Sequence, residues 1–294
     1  MPSKAVTAAM AGATYLELNG QVLPLVACTL PDMTWDAIRS APGGASDGEV
    51  RLGGLKLGEL AIRFAPNMMP PLAGWVDEFA TGKAVPVDLA IVRADMDGKV
   101  RERLLFRRCV LTGLGFPECS GAGKEAYVVD AAFQPETIAA GAEGGVVKVS
   151  VPGRQKRWLA ANFVFTLGGL PTARVRRVGA LGIRRPLQVE SAGNLRRPGA
   201  TAGMVEWPSL TVEVGGPDYA AWRDFAFKQA AGNPPVATDA SLDLRDSTLK
   251  TVLGSFTFRL AGLDGFRIDM PATADALQLA TASFALQGMT LKVN

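Results

Sequence analysis

The chain of 294 residues contains no histidine. Serine- and cysteine-hydrolase triads, most zinc centres and imidazole acid–base mechanisms each lose a central member on that ground. Hydrophobic residues make up 48% of the chain, yet no stretch reaches the roughly 18 unbroken apolar residues that cross a bilayer as a helix. Cysteine is scarce. Cys28, Cys109 and Cys119 form no Cys-x-x-Cys pair and leave one unmatched, which argues against a disulfide framework or a cysteine metal site and fits synthesis in the cytoplasm. Residues 1–12 carry Lys4 as their only charge and no solid apolar segment, so a flexible arm is expected there rather than a secretory leader.

Two fragments that look like ligand motifs are incomplete. Asp95 and Asp97 in "RADMDGK" resemble the opening of a calcium loop, but the closing carboxylate position falls on Phe106, so a hairpin turn is expected. "SGAGKE" at 120–125 has Glu118 where a phosphate loop needs its first glycine, and Glu125 follows Lys124 where Ser or Thr is required.

What the chain does contain is itself, twice. "LAGWVDEFATGK", "LLFRRCVLTGLGF" and "AYVVDAAFQPET" return in the same order as "PDYAAWRDFAFKQAAGN", "GSFTFRLAGLDGF" and "LQLATASFALQGMT". Trp75 aligns with Trp222, Gly113 with Gly262, Phe116 with Phe266 and Phe133 with Phe284, all at a separation of about 150 residues. Each half opens on a strand pair, continues through a long Gly/Pro/Ser-rich loop (31–50 and 184–205) and a further strand, and then reaches one helix. Tyr219, Trp222, Phe225 and Ala226 form one apolar stripe on the second helix, as do Leu72, Trp75, Val76 and Phe79 on the first, and both stripes are assigned to the core. More strands complete each half. The reading is mainly β with one short helix per half: a domain at 13–137, a linker at 138–159 carrying a short "VVKVSV" strand, and a domain at 160–294.

Charge is unevenly spread. Residues 1–147 carry 13 Lys+Arg against 17 Asp+Glu, and residues 148–294 carry 18 against 11. The excess sits between Arg154 and Arg197, where ten basic residues, among them Arg174, Arg176, Arg177, Arg184, Arg185, Arg196 and Arg197, accompany only Glu190. Three uses are open to this stretch: contact with an acidic neighbouring subunit, a solvated strand face, or a nucleic-acid backbone. The first is preferred because the acidic first half supplies a partner, and the third lacks interleaved aromatics.

The order strand pair, long loop, strand, Trp-bearing helix, hairpin ending near "TGLGFPE" or "AGLDGF", final strand resembles the tail-tube fold. That family spans the tubes of phage tails, phage-derived injection devices and type VI secretion. The resemblance covers roughly 13–137 and 160–293 and implies two tandem tube-type β-barrel/β-sandwich domains. It implies a non-catalytic structural subunit without cofactor or metal, whose sheets join edge to edge. Three two-domain copies would then make a ring of six pseudo-equivalent domains that stacks into a conduit. Trp35, Asp36 and Arg39 in the first loop, with the arginines above, are the expected subunit or ring contacts. The implied neighbours are further copies of the chain, a sheath, a baseplate or a tape-measure protein. DNA would pass without specific binding, and no membrane is involved. The implied location is a virion tail or injection tube assembled in the bacterial cytoplasm. A tube initiator or baseplate hub, a two-domain nucleic-acid-binding protein and an enzyme of unrecognised type are the alternatives.

Overall fold

The computed structural model describes residues 12–40, 49–150, 156–190, 199–232, 238–269 and 278–294. Of the expected arm, residues 1–11 lie outside the described residues. The first half comprises β1 (Ala13–Leu18), β2 (Gln21–Pro24), β3 (Ala27–Thr29), β4 (Met33–Ser40), β5 (Glu49–Leu57), β6 (Leu60–Phe64), α1 (Leu72–Ala80), β7 (Val87–Ala94), β8 (Val100–Phe116), β9 (Cys119–Ser120), β10 (Val129–Gln134) and β11 (Thr137–Ala140). The second comprises β12 (Phe163–Leu167), β13 (Val175–Val178), β14 (Leu181–Arg184), β15 (Leu187–Glu190), β16 (Gly199–Ala202), β17 (Ser209–Gly215), α2 (Tyr219–Ala230), β18 (Thr238–Arg245), β19 (Val252–Asp269) and β20 (Leu279–Val293).

The chain is mainly β, with two sheet-rich regions that each contain one short α-helix. The strand order β1-β7-β8-β10-β6-β3 in the first region recurs as β12-β18-β19-β20-β17-β13 in the second. β10 and β11 run along one side of β8 as the uninterrupted β20 runs along β19. Apolar alternation explains the burial: Leu60, Ile62 and Phe64 point inward from β6, and Leu210, Val212 and Val214 point inward from β17. The two anchor pairs make the same contact. Trp75 meets Phe133 edge to face at 5.3 Å, and Trp222 meets Phe284 at 6.1 Å.

Register corrects the other two anchors. Gly113 lies opposite Ala132 and Gly265 opposite Ser283, so Gly113 corresponds to Gly265 rather than Gly262. Likewise Leu114, opposite Ala131, corresponds to Phe266, opposite Ala282, and Phe116 to Ile268. The letters GLGF at 113–116 match GLDGF at 262–266 out of register, while the strands carry equivalent β-bulges at Thr112 and Asp264 and keep one offset on both sides of them.

The long loops are also ordered differently from expectation. β4 pairs antiparallel with β5, and β15 with β16, forming two hairpin arms whose tips, 41–48 and 191–198, lie outside the described residues. The linker is stitched to the first sheet. The Gly141 N–H donates to Arg103 O (2.8 Å), that of Val147 to Gly98 O (2.8 Å) and that of Ser150 to Val22 O (2.8 Å). In place of the expected strand there, Val146 makes an isolated bridge to Lys99.

Asp246 organises the β18–β19 turn. Its carboxylate accepts from Lys156 Nζ (2.6 Å) and Thr248 Oγ1 (2.8 Å), and from the backbone N–H groups of Lys250 and Thr251. The Lys156 ammonium first, and then the Thr248 hydroxyl, hold this carboxyl far below the usual carboxylate range. A depressed carboxyl contributes stability that is complete above its unfolded pKa, about 4, and is lost as pH falls through the folded value. Asp246→Asn is therefore expected to lower the melting temperature at pH 7 and to flatten the decline below pH ~4, as read from melting curves across pH.

Candidate assembly interface

Buried residues form one continuous core through both regions, and the two regions are joined by exchanged strands. β14 of the second half adds antiparallel to the C-terminal part of β8 in the first, with Leu181 opposite Phe116, Ile183 opposite Leu114 and Arg184 opposite Gly113. In return β9 of the first half adds to the outer edge of β13, with Cys119 opposite Val178. Across this junction Phe116 meets Phe256 edge to face at 5.3 Å, and α1 packs against β20. An exposed strand edge invites another strand, and here each half supplies the strand that covers the other's edge.

Three residues of the basic stretch, Arg177, Arg184 and Arg185, lie on this junction. Arg177 pairs with Glu118 of the first half (3.4 Å) and with Glu213 (3.1 Å), and Arg184 pairs with Glu59 (3.1 Å). Glu59 also accepts from Thr112 Oγ1 at 2.6 Å. Arg185, expected on a subunit contact, is instead buried inside the chain with 1% of its surface exposed. Its guanidinium stacks 4.7 Å from the centre of the Phe79 ring, its Nη2 donates to Glu78 O (3.1 Å), and its Nη1 lies 3.5 Å from Glu78 Oε1. Burial pushes the Glu78 carboxyl up, while the Val85 N–H and Arg185 pull it down. The acidic partner inferred from charge counts is thus, for three of these arginines, the first half of the same chain. Alternation cannot reveal this, because a buried arginine in "GIRRPL" reads like an exposed one.

The other expected contacts are placed as follows. Arg174 and Arg176 are exposed, and the Arg174 backbone N–H donates to the Asp218 carboxylate (2.9 Å). Trp35 is 51% exposed at the base of the first arm, beside Asp36, which pairs with Lys56 at 2.8 Å. Arg39 lies on β4 opposite Val50. Arg196 and Arg197 lie outside the described residues.

The solvent face of the second sheet carries a row that the sequence reading missed. Thr166, Ser241, Thr257 and Thr290 stand side by side on β12, β18, β19 and β20, with Thr166 and Ser241 hydroxyls 2.6 Å apart. The corresponding face of the first sheet differs, with Glu17, Ala90, Leu105 and Ala139 at the corresponding positions and Glu17 paired with Arg103 at 3.0 Å.

Among the described residues no group of three or more Cys, Asp or Glu side chains is placed to hold a metal ion. The thiols are poor nucleophiles: burial pushes Cys28 up to about 11 and Cys109 and Cys119 up to about 12, with Asp88 and Glu118 adding to the last two.

Comparison with protein-family models and with curated proteins finds no match. Similar solved structures include the tube-terminating cap of the anti-feeding prophage (12% identity, TM-score 0.42, 48% of this chain and 95% of that one). A sheath/tube terminator of the extracellular contractile injection system PVC is also similar (14% identity, TM-score 0.41, 47% of this chain and 100% of that one). A chain of the anti-feeding prophage baseplate is 18% identical over 49% of this chain and 98% of that one, with a TM-score of 0.34.

Proposed function

We propose that this chain is a structural, non-catalytic subunit that assembles with copies of itself into a ring, three chains supplying six pseudo-equivalent domains, and that such rings stack into a hollow tube. The observation that carries the reading is the junction. Two copies of one fold are joined by strand addition, and among the described residues a second set of the joining groups, one on each half, has no strand joined to it. A contact between unlike surfaces repeats until rotation closes it into a ring or continues as a filament.

The arms β4–β5 and β15–β16 are suited to ring-to-ring or subunit contacts, and the hydroxyl row on the second sheet to a wall that does not hold what slides past. In that setting the neighbours are a sheath, a baseplate or a tape-measure protein, the site is a virion tail or injection tube, and DNA passes without specific binding. A nucleic-acid-binding role is less well supported, since Arg177, Arg184 and Arg185 are already engaged within the chain.

Native mass spectrometry over a concentration series tests the reading. Species of three chains, and multiples of three, are expected; a monomer at every concentration, with salt-sensitive DNA binding instead, contradicts it. Deleting residues 36–47 is expected to abolish stacking into tubes while shifting the melting temperature by no more than a few degrees, because the arm side chains among the described residues, such as Trp35, Asp36 and Leu52, are exposed. Long regular tubes from this variant in electron micrographs would rule out the role given to the arm.

A further inference from the structure

The duplicated fold allows the internal junction to be used as a template. At the base of the first arm Thr34 lies opposite Lys56, and at the base of the second Arg184 lies opposite Glu206. On the preceding strands Cys28 lies opposite Ile62, and Val178 opposite Val212. Both registers make Pro31–Thr34 the counterpart of Leu181–Arg184. On the receiving side, Gly265–Ile268 of β19 is the counterpart of Gly113–Phe116 of β8. Leu181–Arg184 and Gly113–Phe116 are joined to each other. Among the described residues their counterparts are not joined: the pairing of β18 with β19 ends at Leu260, the Gly262–Asp269 segment has β20 as its one strand partner, and Gln229 Nε2 donates to Leu263 O at 2.7 Å just before the receiving residues.

Exposure follows the same division at Met33 and Trp35, whereas Pro31, like Leu181, is buried within its own chain. Ile183 is fully buried where Met33 is 51% exposed, and Arg185 is 1% exposed where Trp35 is 51% exposed. Leu114 and Phe116 are buried where Phe266 and Ile268 are only half-buried.

We infer that Pro31–Thr34 of one chain adds as an antiparallel strand to Gly265–Ile268 of a second copy, in the register of the internal junction. Leu181 opposite Phe116 becomes Pro31 opposite Ile268 of the next copy, and Gly182 opposite Gly115 becomes Asp32 opposite Arg267. Ile183 opposite Leu114 becomes Met33 opposite Phe266, and Arg184 opposite Gly113 becomes Thr34 opposite Gly265. The side chains suit these places. Asp32 and Arg267, both exposed, form an opposite-charge cross-strand pair where the internal junction has two glycines. The Met33 thioether meets an aromatic ring. Proline falls at the first residue of the added strand, the position that tolerates loss of the N–H donor.

The match continues past the ladder. The Arg185 N–H donates to Thr112 O at 2.8 Å, so the Trp35 N–H reaches the carbonyl of Asp264, which occupies the corresponding bulge. The Thr112–Glu59 hydrogen bond has its own counterpart in Ser209 donating to Asp264, so the bulge is braced in both halves. Trp35 then stands where Arg185 stands. The helix residue under it is Ala226, the counterpart of Phe79 when the two tryptophans are aligned, so a large side chain faces a small one in place of an arginine on a ring.

This inference takes from the proposed function only that the partner is a second copy, and it holds whether or not rings stack. Charge reversal tests it with the full chain, since both residues are exposed and the pair that Arg267 makes within its own chain, with Asp269 at 3.1 Å, is a solvent-exposed one of small weight. Asp32→Arg and Arg267→Asp are each expected to weaken self-association about tenfold or more by sedimentation, and the combined variant to return to within about threefold of the parent. Single reversals without effect, or a combined variant no better than either single one, overturn it. Met33→Cys together with Phe266→Cys reports the register: mild oxidation should give covalent oligomers that neither single variant forms. Rings that assemble but do not cross-link leave the ring reading standing and remove this contact; a parent chain that never self-associates removes both.

Discussion

Arg185→Ala is expected to destabilise the folded chain by about 3–5 kcal/mol, the cost of removing one partner from a buried ion pair. The guanidinium lies wholly out of solvent between Phe79 and Glu78, on the boundary between the halves. Its loss leaves Glu78, whose carboxyl burial already disfavours as an anion, without the cation facing it, and opens a void over the Phe79 ring. Arg185→Met retains much of the packing and should recover part of the loss. Urea unfolding with an unchanged slope measures both. A loss below about 1 kcal/mol for Arg185→Ala, the value of an exposed pair, would show that the junction does not depend on this residue.

Separating the halves should have a larger effect still. Residues 156–294 expressed alone would lose β9 from the edge of β13, α1 from β20, and Phe116 and Tyr127 from Phe256; residues 1–150 would lose β14 from β8. Domains are stable by only about 5–15 kcal/mol, and each large aromatic stripped of its packing costs about 3–5 kcal/mol. Neither half is expected to unfold cooperatively in denaturant, whereas the two co-expressed should purify as a complex with a sharp transition. Sharp transitions for each half alone, at midpoints near that of the whole chain, would contradict this account of the junction.

Local pattern carried much of the fold. Trp75 and Trp222 at helical spacing and Phe133 and Phe284 on alternating strands marked the repeat, and each pair makes the same edge-to-face contact. Features that depend on pairing between distant strands were not legible. The Gly113 and Phe116 alignments followed the matching letters GLGF and GLDGF, whereas pairing sets Gly113 with Gly265 and Phe116 with Ile268, and no letter shows which residue lies opposite which. The first hairpin arm read as an irregular loop because its described strand residues 33–37 are all exposed, so that neither face needs an apolar alternation. The junction itself depends on β14 meeting β8, and no local signal distinguishes a strand that covers a neighbour's edge from one that covers its own.

Electron microscopy of the purified full-length chain at high concentration tests the central claim most directly. The account predicts rings with six lobes around a central hole, built from three chains and repeating the internal junction at every second boundary. Uniform monomers, or closed dimers related by a two-fold axis that bury the Met33 and Trp35 surface against itself, would contradict it.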